Sequence, residues 1–147
     1  MSFLKLYEFF IGSKVDFLKP YQGEEQDALY RQASIFWDKL DSCAIVYVLF
    51  FVMIGGAMAL CYYKPFNNKP GRHYLPKYWL IMSACCAIVC FLFTLGLAVE
   101  VAGTNFRGTL WLEFKLAILN AFYSWLIYLV TSVICCKCLK TNAYKLF

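Results

Sequence analysis

Three long apolar runs separated by short polar segments set the pattern of this chain. They cover residues 42–62, 79–99 and 116–136, and the helical period of the third extends back to about residue 109. Crossing a bilayer takes roughly 20 mostly apolar residues, and each run is long enough. None carries a charged residue in its core. Every backbone amide in lipid needs an internal partner, so the pattern predicts three membrane-spanning helices, at 42–62, 79–99 and 109–136.

The first 41 residues follow a different rhythm. Over residues 2–19, Lys5, Glu8, Gly12, Asp16 and Lys19 share one narrow helical face, and Phe3, Leu6, Phe10 and Phe17 lie elsewhere. Lys14 breaks the pattern. The spacing predicts a helix lying in the membrane interface. "KPYQG" then interrupts the chain at Pro20 and Gly23. Residues 24–41 resume as a second amphipathic helix, with Leu29, Ala33, Phe36, Trp37 and Leu40 on its apolar face and a path straight into the first span. The expected fold is an all-α polytopic membrane protein: three transmembrane helices (42–147, with a loop at 63–78 and a short basic tail) preceded by two amphipathic, interfacial helices (1–41).

Composition agrees with this picture. Hydrophobic residues make up 62% of the 147 and charged residues 16%, against roughly 45–50% and about 25% in a soluble domain. The apolar excess must face lipid or other subunits. The eight cysteines do not form a secreted disulfide framework, since most fall inside or at the end of apolar runs, where thiols act as small fillers. The first apolar patch is too charged for a signal peptide, and no small-residue cleavage site follows it. Cys61, Cys135, Cys136 and Cys138 would share one membrane side and four thiolates can hold zinc, but "CCKC" lacks the two-residue gap of zinc sites, so no metal or cofactor is expected. Juxtamembrane cysteines also suit reversible acylation.

Basic residues near the spans suggest an orientation. Lys64, Lys69, Arg72, Lys77, Lys137, Lys140 and Lys145 fall on one side, and Arg31, Lys39, Arg107 and Lys115 on the other. This bias places the first loop and the C-terminus in the cytoplasm, with the protein in a plasma or inner membrane. Counting the more distal Lys5, Lys14 and Lys19 removes the bias. The loop alternates basic and aromatic residues. Its Lys64, Lys69, Arg72, His73 and Lys77 suit anionic lipid headgroups, or, more sharply, a phosphate-bearing ligand held by an Arg72 fork. A protein partner could also engage this loop or the N-terminal helices.

Catalysis is not expected. His73 is the only histidine, and the carboxylates it would need lie mostly on the other side of the membrane. The spans offer no deep ionisable residue for an intramembrane hydrolase.

The third span carries the strongest functional pattern. At about 100° per residue, Glu113, Ala117, Asn120, Ser124, Tyr128, Thr131 and Cys135 fall within a sector of about 80°. Lys115, Ile118, Leu119, Phe122, Leu126, Leu129 and Val133 lie opposite. Two uses select such a stripe. Small and hydroxyl-bearing residues let helices pack closely and bond across the contact. Repeated around a symmetry axis, the same residues would line a hydrated pore, with Glu113 at one mouth. The other spans carry only small faces, which read as packing: Gly55 with Ala59 in the first, and Ser83, Ala87, Cys90, Thr94 and Ala98 in the second. Glu100 and Arg107 could pair near the Glu113 mouth. A small homo-oligomeric pore or ion channel is therefore the leading expectation, gated by an anionic ligand or partner and serving as a depolarising effector. The alternative is a non-conducting anchor or scaffold subunit.

Overall fold

The computed structural model describes residues 5–23, 27–66, 75–103 and 110–138. These residues form helices and short connections. The elements are α1 (Lys5–Ile11), α2 (Lys14–Leu18), a single 3₁₀ turn (Lys19–Tyr21), α3 (Asp27–Cys61), a wide π turn (Tyr62–Phe66), α4 (Pro76–Ala102) and α5 (Leu110–Cys138). Three helical segments are long and apolar enough to cross a membrane, with mean hydropathies of 2.5, 2.5 and 1.7 in chain order. Their length and composition are consistent with an integral membrane protein. The helix α3 has 35 residues, or about 52 Å at 1.5 Å per residue, well beyond the ~30 Å of a hydrocarbon core. It runs without a break through the junction of the second amphipathic segment and the first span.

The single helix expected over residues 2–19 is two. Gly12 takes φ +89°, a conformation open to glycine and costly to other residues. Its N–H closes α1 on the Glu8 carbonyl at 3.0 Å. Ser13 then caps α2, its Oγ accepting from the Asp16 N–H at 3.2 Å and donating to the Asp16 carboxylate at 2.7 Å. The break also accounts for Lys14. Out of step with one continuous helix, it ion-pairs with Asp38 of α3 at 2.6 Å.

The second span starts earlier than its hydropathy suggests, because Pro76 suits the first helical position and opens α4 three residues before Trp79. Pro65 cannot donate to the helical ladder, and α3 widens into the π turn around it. At the far end of α4, Gly103 takes φ +63° and its N–H reaches the carbonyls of both Val99 and Glu100 at 3.2 Å.

Two compact units form, Met1–Val48 with Leu92–Leu119, and Leu49–Phe91 with Asn120–Phe147. In the first, Tyr7, Ile11 and Leu18 are buried with Ala33, Phe36, Trp37 and Leu40 of α3. Phe17 lies 5.2 Å from the Trp37 ring and 6.1 Å from Phe36, centroid to centroid. Leu29, expected on the apolar face of the second helix, is instead exposed. It sits in the first turn of α3, beyond the aromatic cluster. In the second unit, Ala59, Tyr62, Tyr63, Trp79, Cys86, Tyr128, Cys135 and Cys136 form the core. Gly55 lets α3 press onto α5 there. A Cβ at this position would stand 2.6 Å from the Ser124 carbonyl and 2.8 Å from Ile127 Cβ.

Gly55→Val is therefore expected to destabilise the protein by about 1–3 kcal/mol, since backbone on the facing helix cannot give way. Gly56→Ala meets nothing within 4 Å and is expected to hold or raise stability by up to about 1 kcal/mol. Thermal unfolding of both variants in detergent checks the contrast. A second expectation concerns pH. The Lys19 ammonium, 2.6 Å from Asp16, and the Ser13 hydroxyl hold the Asp16 carboxyl down to about 2. Its unfolded value is about 3.9, so this contribution to α2 is complete above that pH and is lost as the pH falls through about 2. NMR titration of Asp16 reads it directly, and Lys19→Ala is expected to move the midpoint up toward the unfolded value.

Candidate functional site

The polar stripe lies on one uninterrupted helix. Leu110 opens α5, Glu113 sits in its first turn, and Lys137 in its last turn complements the helix dipole. Glu113, Ala117, Asn120, Ser124, Tyr128 and Cys135 are all buried, and Thr131 is half-buried. Ile118, Phe122 and Leu126, on the opposite side, are exposed, as are Val130 and Ile134. Lys115, Leu119, Leu129 and Val133 are half-buried. The helix thus turns its polar face inward and its apolar face out.

In the second unit the stripe is tied to α4 through successive turns. Tyr128 donates its hydroxyl to the Trp79 carbonyl at 3.4 Å. The Trp125 indole N–H donates to Ser83 Oγ at 2.8 Å. Cys86 Sγ lies 3.1 Å from Ser124 Oγ, and the Cys90 thiol donates to the backbone carbonyl of Asn120 at 3.4 Å. Partners descend one chain as they climb the other, the register of two antiparallel helices. On the α3 side, Gly55 brings the backbones together and Phe51 packs on Tyr123 at 5.5 Å. Ala59 is fully buried. These contacts are the cross-helix bonds that polar residues form when water is absent.

The second span's face needs one correction. Ser83, Cys90, Thr94 and Ala98 are buried as a row, but Cys86 joins them, and Ala87 is only half-buried. Cys86 stands three residues after Ser83 and four before Cys90, so helical spacing admitted it as readily as Ala87. Trp125 and Ser132 were also missed. The indole carries a donor whose partner depends on the facing helix, and Ser132 is buried beside the hydroxyls of Tyr63 and Tyr128.

In the first unit, Glu113 is only 2% exposed and stands within electrostatic reach of Tyr47, itself fully buried. The start of a helix favours a negative charge, which suits a carboxylate in this position. Of the basic loop, Lys64 is exposed within the π turn, and Lys77 is exposed with its ammonium 5.2 Å from the Tyr78 ring centre. Lys69, Arg72 and His73 lie outside the described residues, as does Arg107, the expected partner of Glu100. Cys135 and Cys136 are buried, with the Cys136 thiol donating to Tyr63 Oη at 3.2 Å, while Cys61 and Cys138 are exposed. Among the described residues no three His, Cys, Asp or Glu side chains converge as a metal site.

No protein-family model matches this chain, and neither does any curated protein or solved structure.

The Ser83–Trp125 bond gives a direct measure of the α4–α5 contact. A double-mutant cycle with Ser83→Ala and Trp125→Phe is expected to return a coupling of about 0.6 kcal/mol, the average for such bonds between membrane helices. Equilibrium unfolding in mixed micelles supplies the four stabilities.

Proposed function

We propose that this protein is a non-conducting integral membrane subunit, an anchor or scaffold whose third-span polar face serves its own helix packing. The observation that carries this reading is the burial of Asn120, Ser124 and Tyr128, each 0% exposed within a single chain. A pore between copies needs polar groups on a surface that the protomer leaves open. The large exposed residues within the spans are instead apolar, among them Val52, Met53 and Leu60 on α3, Ile81, Ile88 and Leu92 on α4, and Ile118, Phe122 and Val130 on α5. A constriction lined by such residues loses its water. Lipid tails or the apolar face of a partner helix suit this surface.

The same reading places the membrane. The basic residues beside the π turn and at the end of α5 face the cytoplasm, following the bias of lysines and arginines near the spans. The helices α1 and α2 lie in the interface, supported by the outward-facing Leu6, Phe9, Phe10 and Val15. A protein partner would meet the basic loop or these N-terminal helices. No symmetric ring is required, because Asn120 is buried inside its own chain.

Two measurements test the proposal. The mass of the purified protein in detergent reports whether it assembles with itself. Ion flux into liposomes containing the protein is expected to equal that of protein-free vesicles. Asn120→Leu is expected to change stability and leave flux at that baseline. A conductance abolished by Asn120→Leu in a folded protein would return the stripe to a pore lining and overturn the proposal.

A further inference from the structure

The first unit contains a half-open cleft of about 280 Å³ between α3 and the end of α4, lined by Gln32, Ile35, Phe36, Lys39, Glu100 and the residues that follow it to Gly103. Pockets for drug-sized ligands span roughly 300–1,000 Å³, so this one fits a compact group. Its place along the helices is defined by polarity. Lys39 precedes the apolar run of α3 by three residues, and Glu100 directly follows that of α4. Within the membrane reading proposed above, on which this inference rests, the cleft opens at the boundary between hydrocarbon and water.

The two walls carry opposite charge. Lys39 and Glu100 are exposed, and neither side chain has an ion pair or hydrogen bond among the described residues. The α4 wall is made more negative by its helix C-terminus. There the Gly103 N–H occupies the Val99 and Glu100 carbonyls, while those of the last residues have no intrahelical donor. One wall thus attracts an anion and the other a cation, across a space of headgroup size. One turn further into the apolar run lies Gly96, with nothing within 4 Å of where a Cβ would stand. The neighbouring Phe93 and Val99 are exposed and apolar. A polar head in the cleft could therefore continue into a chain lying along α4.

We propose that this cleft binds one zwitterionic phospholipid of the ethanolamine type. Its phosphate pairs with Lys39, its primary ammonium with Glu100 and the terminal carbonyls of α4, and an acyl chain follows the bare side of Gly96. A primary ammonium is favoured over a quaternary one because it donates hydrogen bonds to carboxylate and carbonyl oxygens. Quaternary ammonium is usually held by open aromatic faces, and Phe36, the aromatic residue lining the cleft, is only 3% exposed.

Delipidated protein in detergent, titrated with phosphatidylethanolamine, phosphatidylcholine and phosphatidylglycerol and read by native mass spectrometry, tests this. The wild type is expected to retain phosphatidylethanolamine about fivefold more tightly than either of the others, the scale of one interfacial charge contact. Glu100→Gln is expected to erase the margin over phosphatidylcholine. Lys39→Gln is expected to weaken binding of all three, and Lys137→Gln, remote from the cleft in sequence and exposed, to change nothing. Equal retention of the three lipids by the wild type, or an unaltered margin in Glu100→Gln, would overturn the site. Glycerophosphoethanolamine, which has the head and no tails, is expected to compete only weakly; displacement at concentrations equal to the lipid would overturn a lipid as the occupant. Carbonate extraction of the same proteins from membranes separates the two levels. Extraction of the wild type would remove the membrane reading and this site together. Retention without lipid selectivity would remove the site alone.

Discussion

A polar group buried away from water must find its partner inside the protein, and a buried amide that fails to do so costs several kcal/mol. The third span carries more of this demand than the other two, and the second unit is arranged around it. Ser83, Cys86, Cys90 and the Trp79 carbonyl of α4 face the stripe turn by turn. These bonds need short side chains and close backbones. Gly55 gives α3 the clearance it needs at Ser124, and the fully buried Ala59 keeps the contact narrow one turn on. The small faces of the first two spans and the polar face of the third are therefore parts of one solution to the same desolvation problem.

The outward surface follows from the same demand. With the hydroxyls and amide of the stripe turned in, the large exposed residues on the spans are apolar, chiefly valine, leucine, isoleucine, methionine and phenylalanine. Such a surface is compatible with lipid and poorly suited to holding a column of water. This is why the inward orientation of the stripe bears on function as well as on stability. An assembly of several copies could still form through these apolar faces, but polarity would not drive it.

The N-terminal part of the first unit packs through aromatic contacts rather than polar ones. Tyr7, Ile11 and Leu18 are buried and Phe17 lies against Phe36 and Trp37 of α3, whereas Phe9 and Phe10 are exposed. The Lys14–Asp38 and Lys19–Asp16 pairs are exposed and contribute little energy, but they fit a polar margin to a hydrophobic contact. Glu113, buried near Tyr47 at the start of α5, brings a carboxylate into the same unit.

Much of the fold was legible in the residues because its signals are local. Hydropathy over some 20 residues identifies a span wherever its neighbours lie, and the 100° step per residue groups Glu113 through Cys135 on one face without any knowledge of packing. Turn chemistry was partly legible too. Gly12 stood in the polar face of the expected first helix, yet its positive φ depends on the N-terminal segment folding back to place Phe17 against Trp37. The choice between Cys86 and Ala87 could not be read, since both satisfy helical spacing and only the facing Ser124 separates them. The sequence by itself determined that this chain has three apolar spans and that one of them bears a continuous polar stripe. Only the tertiary structure decided that the stripe faces inward, because close packing and pore lining call for the same small and polar residues and differ only in what lies opposite them.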